Sequence, residues 1–122
     1  MVEISGRPIL WHLMNIFAKQ GFNEFLIATG YRGNVINNWV KTIGDPWNIL
    51  SVDTGLDTQT GGRIRECMKL APGERVFATY GDGLGNVSIP ELLTFHESKG
   101  RLATVTAVRP PARFGHLDSN NG

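Results

Sequence analysis

Two short segments carry residue types that suit a phosphate-bearing ligand. In Tyr80-Gly81-Asp82-Gly83 a carboxylate directly follows an apolar run and has glycine on both sides. A bound ion can therefore approach Asp82 without steric cover, and Mg²⁺ takes one or two protein carboxylates while water and phosphate oxygens complete its shell. The competing reading is a plain tight turn, which Asp and Gly favour anyway. The second segment is Thr58-Gln59-Thr60-Gly61-Gly62-Arg63. Two glycines at a helix start let a ligand reach free backbone N–H groups, which favour anions, and Arg63 adds a fixed positive charge suited to phosphate. The alternative there is an ordinary helix start, with Thr60 capping, the glycines turning and Arg63 solvated.

The remaining reactive side chains read as structural. His12 and His96 fall on helices far apart in sequence, and His116 lies near the C-terminal end. Cys67 shares a helix face with Ile64 and Met68, as a small buried thiol would. Trp11, Trp39 and Trp47 read as core or interface residues. Neither a Ser-His-Asp arrangement nor a metal-binding Cys/His spacing is present.

The elements that would position these groups alternate. Pro8 suits the first turn of a helix. Ile9, Leu10, Leu13, Ile16 and Phe17 follow at helical spacing, with Gly21 as the stop. Phe25–Ala28 is a short apolar run closed by Gly30, as in a buried strand. A helix is expected over Asn34–Thr42, a strand over Ile49–Val52 and a polar loop over Thr54–Thr60. Gly61-Gly62 open a third helix that ends at Ala71-Pro72-Gly73. Val76–Tyr80 is the next expected strand. Ser88 caps a fourth helix, with Ile89 and Pro90 first and Glu91 as capping-box partner, running to Gly100. Leu102–Val108, rich in Thr and Val, reads as a final strand. From Pro110 the chain is loop-like, and Asp118–Gly122 is expected to fray. This order predicts an α/β fold with a mostly parallel sheet, right-handed crossovers and flanking helices. Ligands in such sheets collect at the carboxyl ends of the strands, where both candidate segments fall.

The 122 residues fit a single domain, and a globule of that size is expected to bury about two thirds of its unfolded surface. Twelve Lys and Arg against eleven Asp and Glu leave a charge of +1, which gives no electrostatic footprint for nucleic acid or an anionic membrane. The single cysteine excludes an internal disulfide and favours a reducing compartment. Ile9–Ala18 is too short to span a bilayer and poorly shaped as a signal peptide, so it reads as the core-facing helix of a cytoplasmic protein.

Six stretches in order resemble the glucose-1-phosphate cytidylyltransferases, a branch of the sugar nucleotidylyltransferases. They are MVEISGRPILWHLM from Met1, GFNEFLIATGYRGNVI from Gly21, VDTG from Val52, TGGRIR from Thr60, YGDG from Tyr80 and PPARFGHLD from Pro110. The resemblance implies a Rossmann-like domain, a truncated nucleotide-diphospho-sugar transferase fold over residues 1–122. It implies transfer of a nucleotidyl group from CTP, or another NTP, to a sugar 1-phosphate with Mg²⁺. On that basis Asp82 ligates the metal, and Gly81, Thr58, Gly61, Gly62 and Arg63 line the nucleotide pocket. Arg113, Phe114 and Gly115 face the sugar, with Ala112 where the family has glycine.

The family pattern also has a first strand and Gly-rich loop before the position of Met1. A sugar-phosphate lysine and a second metal-binding Asp lie beyond residue 122. The stretch from Thr42 to Trp47 is shorter than the family's. The first strand lies mid-sheet, between those matching Phe25–Ala28 and Val76–Tyr80. Without it these two either pair directly or present open edges, and open edges recruit partners, so a homo-oligomer is expected. Assigned no catalytic residue of its own, the isolated chain is expected to turn over weakly. The alternative is a catalytically dead relative serving as an oligomeric assembly module.

Overall fold

The computed structural model describes residues 1–71, 73 and 75–108. The chain opens with a hairpin that the sequence reading missed. Strands β1 (Glu3–Ile4) and β2 (Arg7–Pro8) pair antiparallel, with Glu3 opposite Pro8 and Ile4 opposite Arg7. The link is Ser5-Gly6, with φ of 51° and 75°. Two successive positive φ values are what a two-residue hairpin turn needs to match strand twist. Helix α1 (Ile9–Ala18) follows directly, with Pro8 as its extended N-cap residue. His12 Nε2 hydrogen-bonds the Ile4 carbonyl at 2.8 Å, so this histidine ties the hairpin to α1. Gly21 ends the helix as expected, at φ 94°, while the Phe22 N–H reaches back to the Phe17 carbonyl at 3.1 Å.

Strand β3 (Glu24–Thr29) is joined through helix α2 (Gly33–Val40) to strand β4 (Asn48–Asp53). The two strands pair in parallel, from Glu24 opposite Asn48 to Thr29 opposite Asp53. Trp47 enters β4 packed on Phe25 at 5.8 Å and on Trp11 at 5.7 Å between ring centroids. The Trp11 indole N–H donates to Asp45 Oδ2 at 2.8 Å, and the Arg7 guanidinium lies 4.1 Å above its ring. The tryptophan cluster is thus packing, as its residue types suggested, and it secures the short Thr42–Trp47 connection. Helices α3 (Thr60–Met68) and α4 (Ile89–Lys99) complete the described elements.

Two expected strands are not formed. Among the described residues the only sheets are the hairpin and the β3–β4 pair, and Val76–Tyr80 and Leu102–Val108 join neither. A β-prone sequence becomes a strand only where a partner satisfies its backbone. The first segment instead docks through Phe77, which lies 6.1 Å from Phe17 and 5.1 Å from Phe22. In the second, Leu102, Val105 and Val108 are exposed. Of the two outcomes expected without a mid-sheet strand, β3 and Val76–Tyr80 take the unpaired one. The consequence is a thin core. Among the described residues the buried apolar side chains are Leu13, Met14 and Ile89, at 7%, 3% and 4% exposure, with Pro8 also buried, so the expected full core is absent.

A second correction concerns α4. Its N-cap residue is Ser88, as expected, but the hydroxyl makes no capping bond. The side chain of Gln20 takes that role from across the chain. Its Oε1 accepts the Ile89 N–H at 2.8 Å, and its Nε2 donates to the carbonyls of Val87 and Ile16 at 3.3 and 3.1 Å. One amide therefore fastens the end of α1 to the start of α4.

The free edge of β3 has a defined backbone pattern. The Asn48 and Thr54 N–H groups donate to the carbonyls of Asn23 and Thr29, at 2.9 and 3.0 Å. Strand backbone groups alternate between neighbours, so odd-numbered residues of β3 face β4 while Leu26 and Ala28 face the open edge. Amide exchange at Leu26 and Ala28 should run about tenfold or more faster than at Ile27 and Thr29. Equal protection at all four, read by NMR or mass spectrometry, would show that the edge is covered in solution.

Candidate functional site

Because β3 and β4 are parallel, their carboxyl ends lie side by side, and the loops leaving them define one rim of the molecule. Thr29 and Thr54, at those ends, are buried polar residues at 4% and 7% exposure. Their groups satisfy one another. Thr54 Oγ1 donates to the Thr29 carbonyl at 2.8 Å, and Thr29 Oγ1 donates to the Val52 carbonyl at 3.1 Å. After β4 the chain turns at Gly55, with φ 88°, where its N–H donates to Asp53 Oδ1 at 3.0 Å. The turn then wraps around Thr58. A Cβ on Gly62 would stand 2.7 Å from the Thr58 methyl, and one on Gly55 would stand 3.2 Å from its hydroxyl.

The two glycines of the Thr-Gly-Gly-Arg stretch thus have different roles. Gly62 is required by contact with Thr58, whereas nothing lies within 4 Å of where a Gly61 Cβ would be. Gly61 is the position at which another molecule can approach the backbone. Helix α3 starts at Thr60 with Gln59 as an extended N-cap, and no side chain caps it. Its first N–H groups remain available, and such groups favour anions.

Arg63 follows neither of its sequence-level readings in full. It is not merely solvated, since its NH1 donates to the Thr29 carbonyl at 2.9 Å and to Thr54 Oγ1 at 2.6 Å. Its NH2 donates to the Leu56 carbonyl at 3.1 Å. Three of the five guanidinium donors are engaged by protein, which leaves two. Thr29, Gly30 and Thr54 take part in this arrangement and were not singled out from sequence. Gly30 had been read only as a strand stop.

The other candidate segment lies on the far side of β3. Gly81 and Asp82 form a turn, and a Cβ on Gly81 would touch Leu10 Cδ1 at 3.5 Å. They border an open cleft of about 360 Å³, whose wall includes Leu10, Ile27, Ala28 and Ile36. Asp82 is exposed and is the one carboxylate lining that cleft. Consecutive residues of β3 thereby serve both segments, with Ala28 in the cleft wall and Thr29 bound to Arg63. Among the described residues no cluster of three or more His, Cys, Asp or Glu is placed to hold a metal. A lone exposed carboxylate beside a cleft still fits Mg²⁺, which fills the rest of its shell from water and phosphate. Arg113, Phe114 and Gly115 fall outside the described residues.

Cys67 is half-buried, and burial followed by the neighbouring Glu66 charge pushes its thiol pKa up, away from nucleophilic chemistry. His96 Nδ1 sits 2.8 Å from Thr104 Oγ1, a structural contact. No helix among the described residues is long and apolar enough to cross a membrane.

No family model matches the chain. Glucose-1-phosphate cytidylyltransferase of Salmonella typhimurium is 37% identical over 145 aligned positions that take in the whole chain and 56% of that protein. A probable glucose-1-phosphate cytidylyltransferase of Bacillus subtilis is 36% identical over 143 positions, again the whole chain and 56% of the relative. A probable mannose-1-phosphate guanylyltransferase of Oryza sativa is 28% identical over 94% of the chain and 34% of that protein. The chain therefore spans little more than half the length of the cytidylyltransferases it matches. An alignment of 145 positions against 122 residues requires gaps in this chain, in keeping with a shortened Thr42–Trp47 connection. Agreement at this identity runs across the whole chain and supports a partial sugar nucleotidylyltransferase.

Proposed function

We propose that the chain forms the nucleotide-side half of a sugar-1-phosphate nucleotidylyltransferase site within a Rossmann-like domain, with CTP as the preferred nucleotide. The observation that carries this reading is the identity of 36–37% across the whole chain to cytidylyltransferases, against 28% to a guanylyltransferase. The geometry supports it. Gly61 and the uncapped start of α3 offer backbone N–H groups to phosphate, Thr58 lies within the same turn, and Gly81 borders the cleft. Asp82 would hold Mg²⁺, and the metal would neutralise charge developing on the phosphates as the sugar phosphate oxygen attacks the α-phosphorus and pyrophosphate leaves. The two remaining N–H donors of Arg63 can face an anion while its other three hold the rim. Arg113, Phe114 and Gly115 belong to the sugar side in this reading. A cytoplasmic setting suits a single cysteine kept reduced.

The free edge of β3 favours a second reading, assembly into a homo-oligomer, alone or beside nucleotide binding. Thermal unfolding with Mg²⁺ and CTP, UTP or ATP separates the two. At about a hundred times its dissociation constant a ligand stabilises by about 2.7 kcal/mol, a shift of several degrees for a domain of this size. A shift with CTP that exceeds those with UTP and ATP is expected. No shift with any nucleotide, together with a melting temperature that rises with protein concentration, would favour assembly instead.

A further inference from the structure

The guanidinium of Arg63 passes directly over Gly30. A Cβ at that position would stand 2.8 and 2.9 Å from its two terminal nitrogens and 2.9 Å from the Gly55 carbonyl oxygen. The first two contacts would collide with a group fixed at three points, not with a free side-chain end. The guanidinium reaches the carboxyl end of β3 at Thr29, that of β4 at Thr54, and the following turn at Leu56. Arg63 itself belongs to the first turn of α3, its own N–H bonded to the Gln59 carbonyl at 3.0 Å. One side chain therefore joins two strand ends, the turn after β4 and the helix start, and only a glycine at position 30 leaves it room.

We infer that Arg63 is a positioning residue, latched through the gap at Gly30, and that it fixes the turn carrying Thr58 and Gly61 against the end of β3. Five N–H donors in a rigid plane can bridge three acceptors at once, which a lysine ammonium on its flexible stem does less well. Without the latch the β3–β4 ladder persists, because its own backbone bonds run from Asn23 to Thr54. The turn beyond it loses its only side-chain tie among the described residues other than the Asp53–Gly55 bond. The effect on nucleotide binding rests on the function proposed above. The latch itself does not.

Hydrogen exchange of the free protein tests the latch. In Arg63→Met, which keeps an apolar stem and removes the donors, protection of the Thr54 and Gly55 amides should fall about tenfold or more. The Asn48 and Leu50 amides, at the other end of the ladder, should stay within about twofold. Thr54→Val removes one hydroxyl, which accepts from Arg63 and donates to the Thr29 carbonyl, and it provides the milder variant should Arg63→Met fold poorly. It should loosen Gly55 in the same selective way. Gly30→Ala should reproduce the pattern in the Arg63 protein and add less when combined with Arg63→Met. Equal loss of protection at both ends of the ladder, or unchanged exchange at Thr54 and Gly55, would overturn the latch. In thermal unfolding with Mg²⁺ and CTP, Arg63→Met should lose most of the nucleotide-induced shift. A full shift in that variant would overturn the positioning role. Absence of a shift in the unaltered chain would instead remove the proposed function, with the latch still decided by exchange.

Discussion

Met14→Ala is expected to leave the chain without a cooperative thermal transition. Met14 is the most buried of the three apolar side chains in the described core, at 3% exposure, and it sits on the face of α1 that meets the rest of the chain. Truncating a buried Leu, Ile or Met to alanine costs about 2–5 kcal/mol, from lost transfer energy and from the cavity left behind. An ordinary domain has about 5–15 kcal/mol of stability in total. Among the described residues the buried large apolar side chains are only Leu13, Met14 and Ile89; such a core belongs at or below the low end of that range, so a loss of this size is most or all of it. Leu102→Ala is the control, since Leu102 is fully exposed and such substitutions usually stay within about 0.5 kcal/mol. Near-ultraviolet circular dichroism on heating reads both. A Met14→Ala chain that melts sharply and within a few degrees of the parent would show that the core is larger in solution than these contacts describe.

That thin core explains what the sequence could and could not tell. Helices were legible because their signals are local. The apolar spacing from Ile9 to Phe17 and the stop at Gly21 lie within one segment, and α1 formed there. A parallel sheet was also expected from the alternation of strands and helices, and β3 and β4 pair in that sense. Val76–Tyr80 and Leu102–Val108 have β-prone compositions, but a strand is a property of two segments, and the second was not there to be read. The hairpin was the opposite case. Ser5-Gly6 is a turn signal in plain sight, passed over because its strands are two residues each.

At the candidate site, residue types were more legible than roles. Asp82 and the Gly61-Gly62 pair stand out as candidates from their neighbours, and nothing lies within 4 Å of where a Gly61 Cβ would be. Arg63 was read as free or phosphate-bound because its partner Thr29 lies 34 residues away, beyond any local pattern. Gly30 could be recognised only once that guanidinium was seen to cross it. The capping of α4 failed in the same way, because Gln20 takes the Ile89 N–H from 69 residues away in place of Ser88. Long-range hydrogen bonds of this kind leave no periodic trace, whereas the ordered motifs that point to the family survive because each is short and contiguous.

The central claim is that this chain retains a metal-dependent nucleotide half-site with Asp82 as its carboxylate, and calorimetric titration with CTP tests it most directly. The comparison is the parent chain with Mg²⁺, the parent chain without it, and Asp82→Ala with Mg²⁺. Asp82 is exposed on a turn, so the substitution should leave the fold intact. A hydrogen bond or contact to a charged group is worth about 1.5–3 kcal/mol, which corresponds to a weakening of about 10- to 100-fold in dissociation constant. The account predicts that removing either Mg²⁺ or the carboxylate weakens CTP binding by that much. Equal affinity in all three titrations would contradict it, since the nucleotide would then be held without the metal or its proposed ligand.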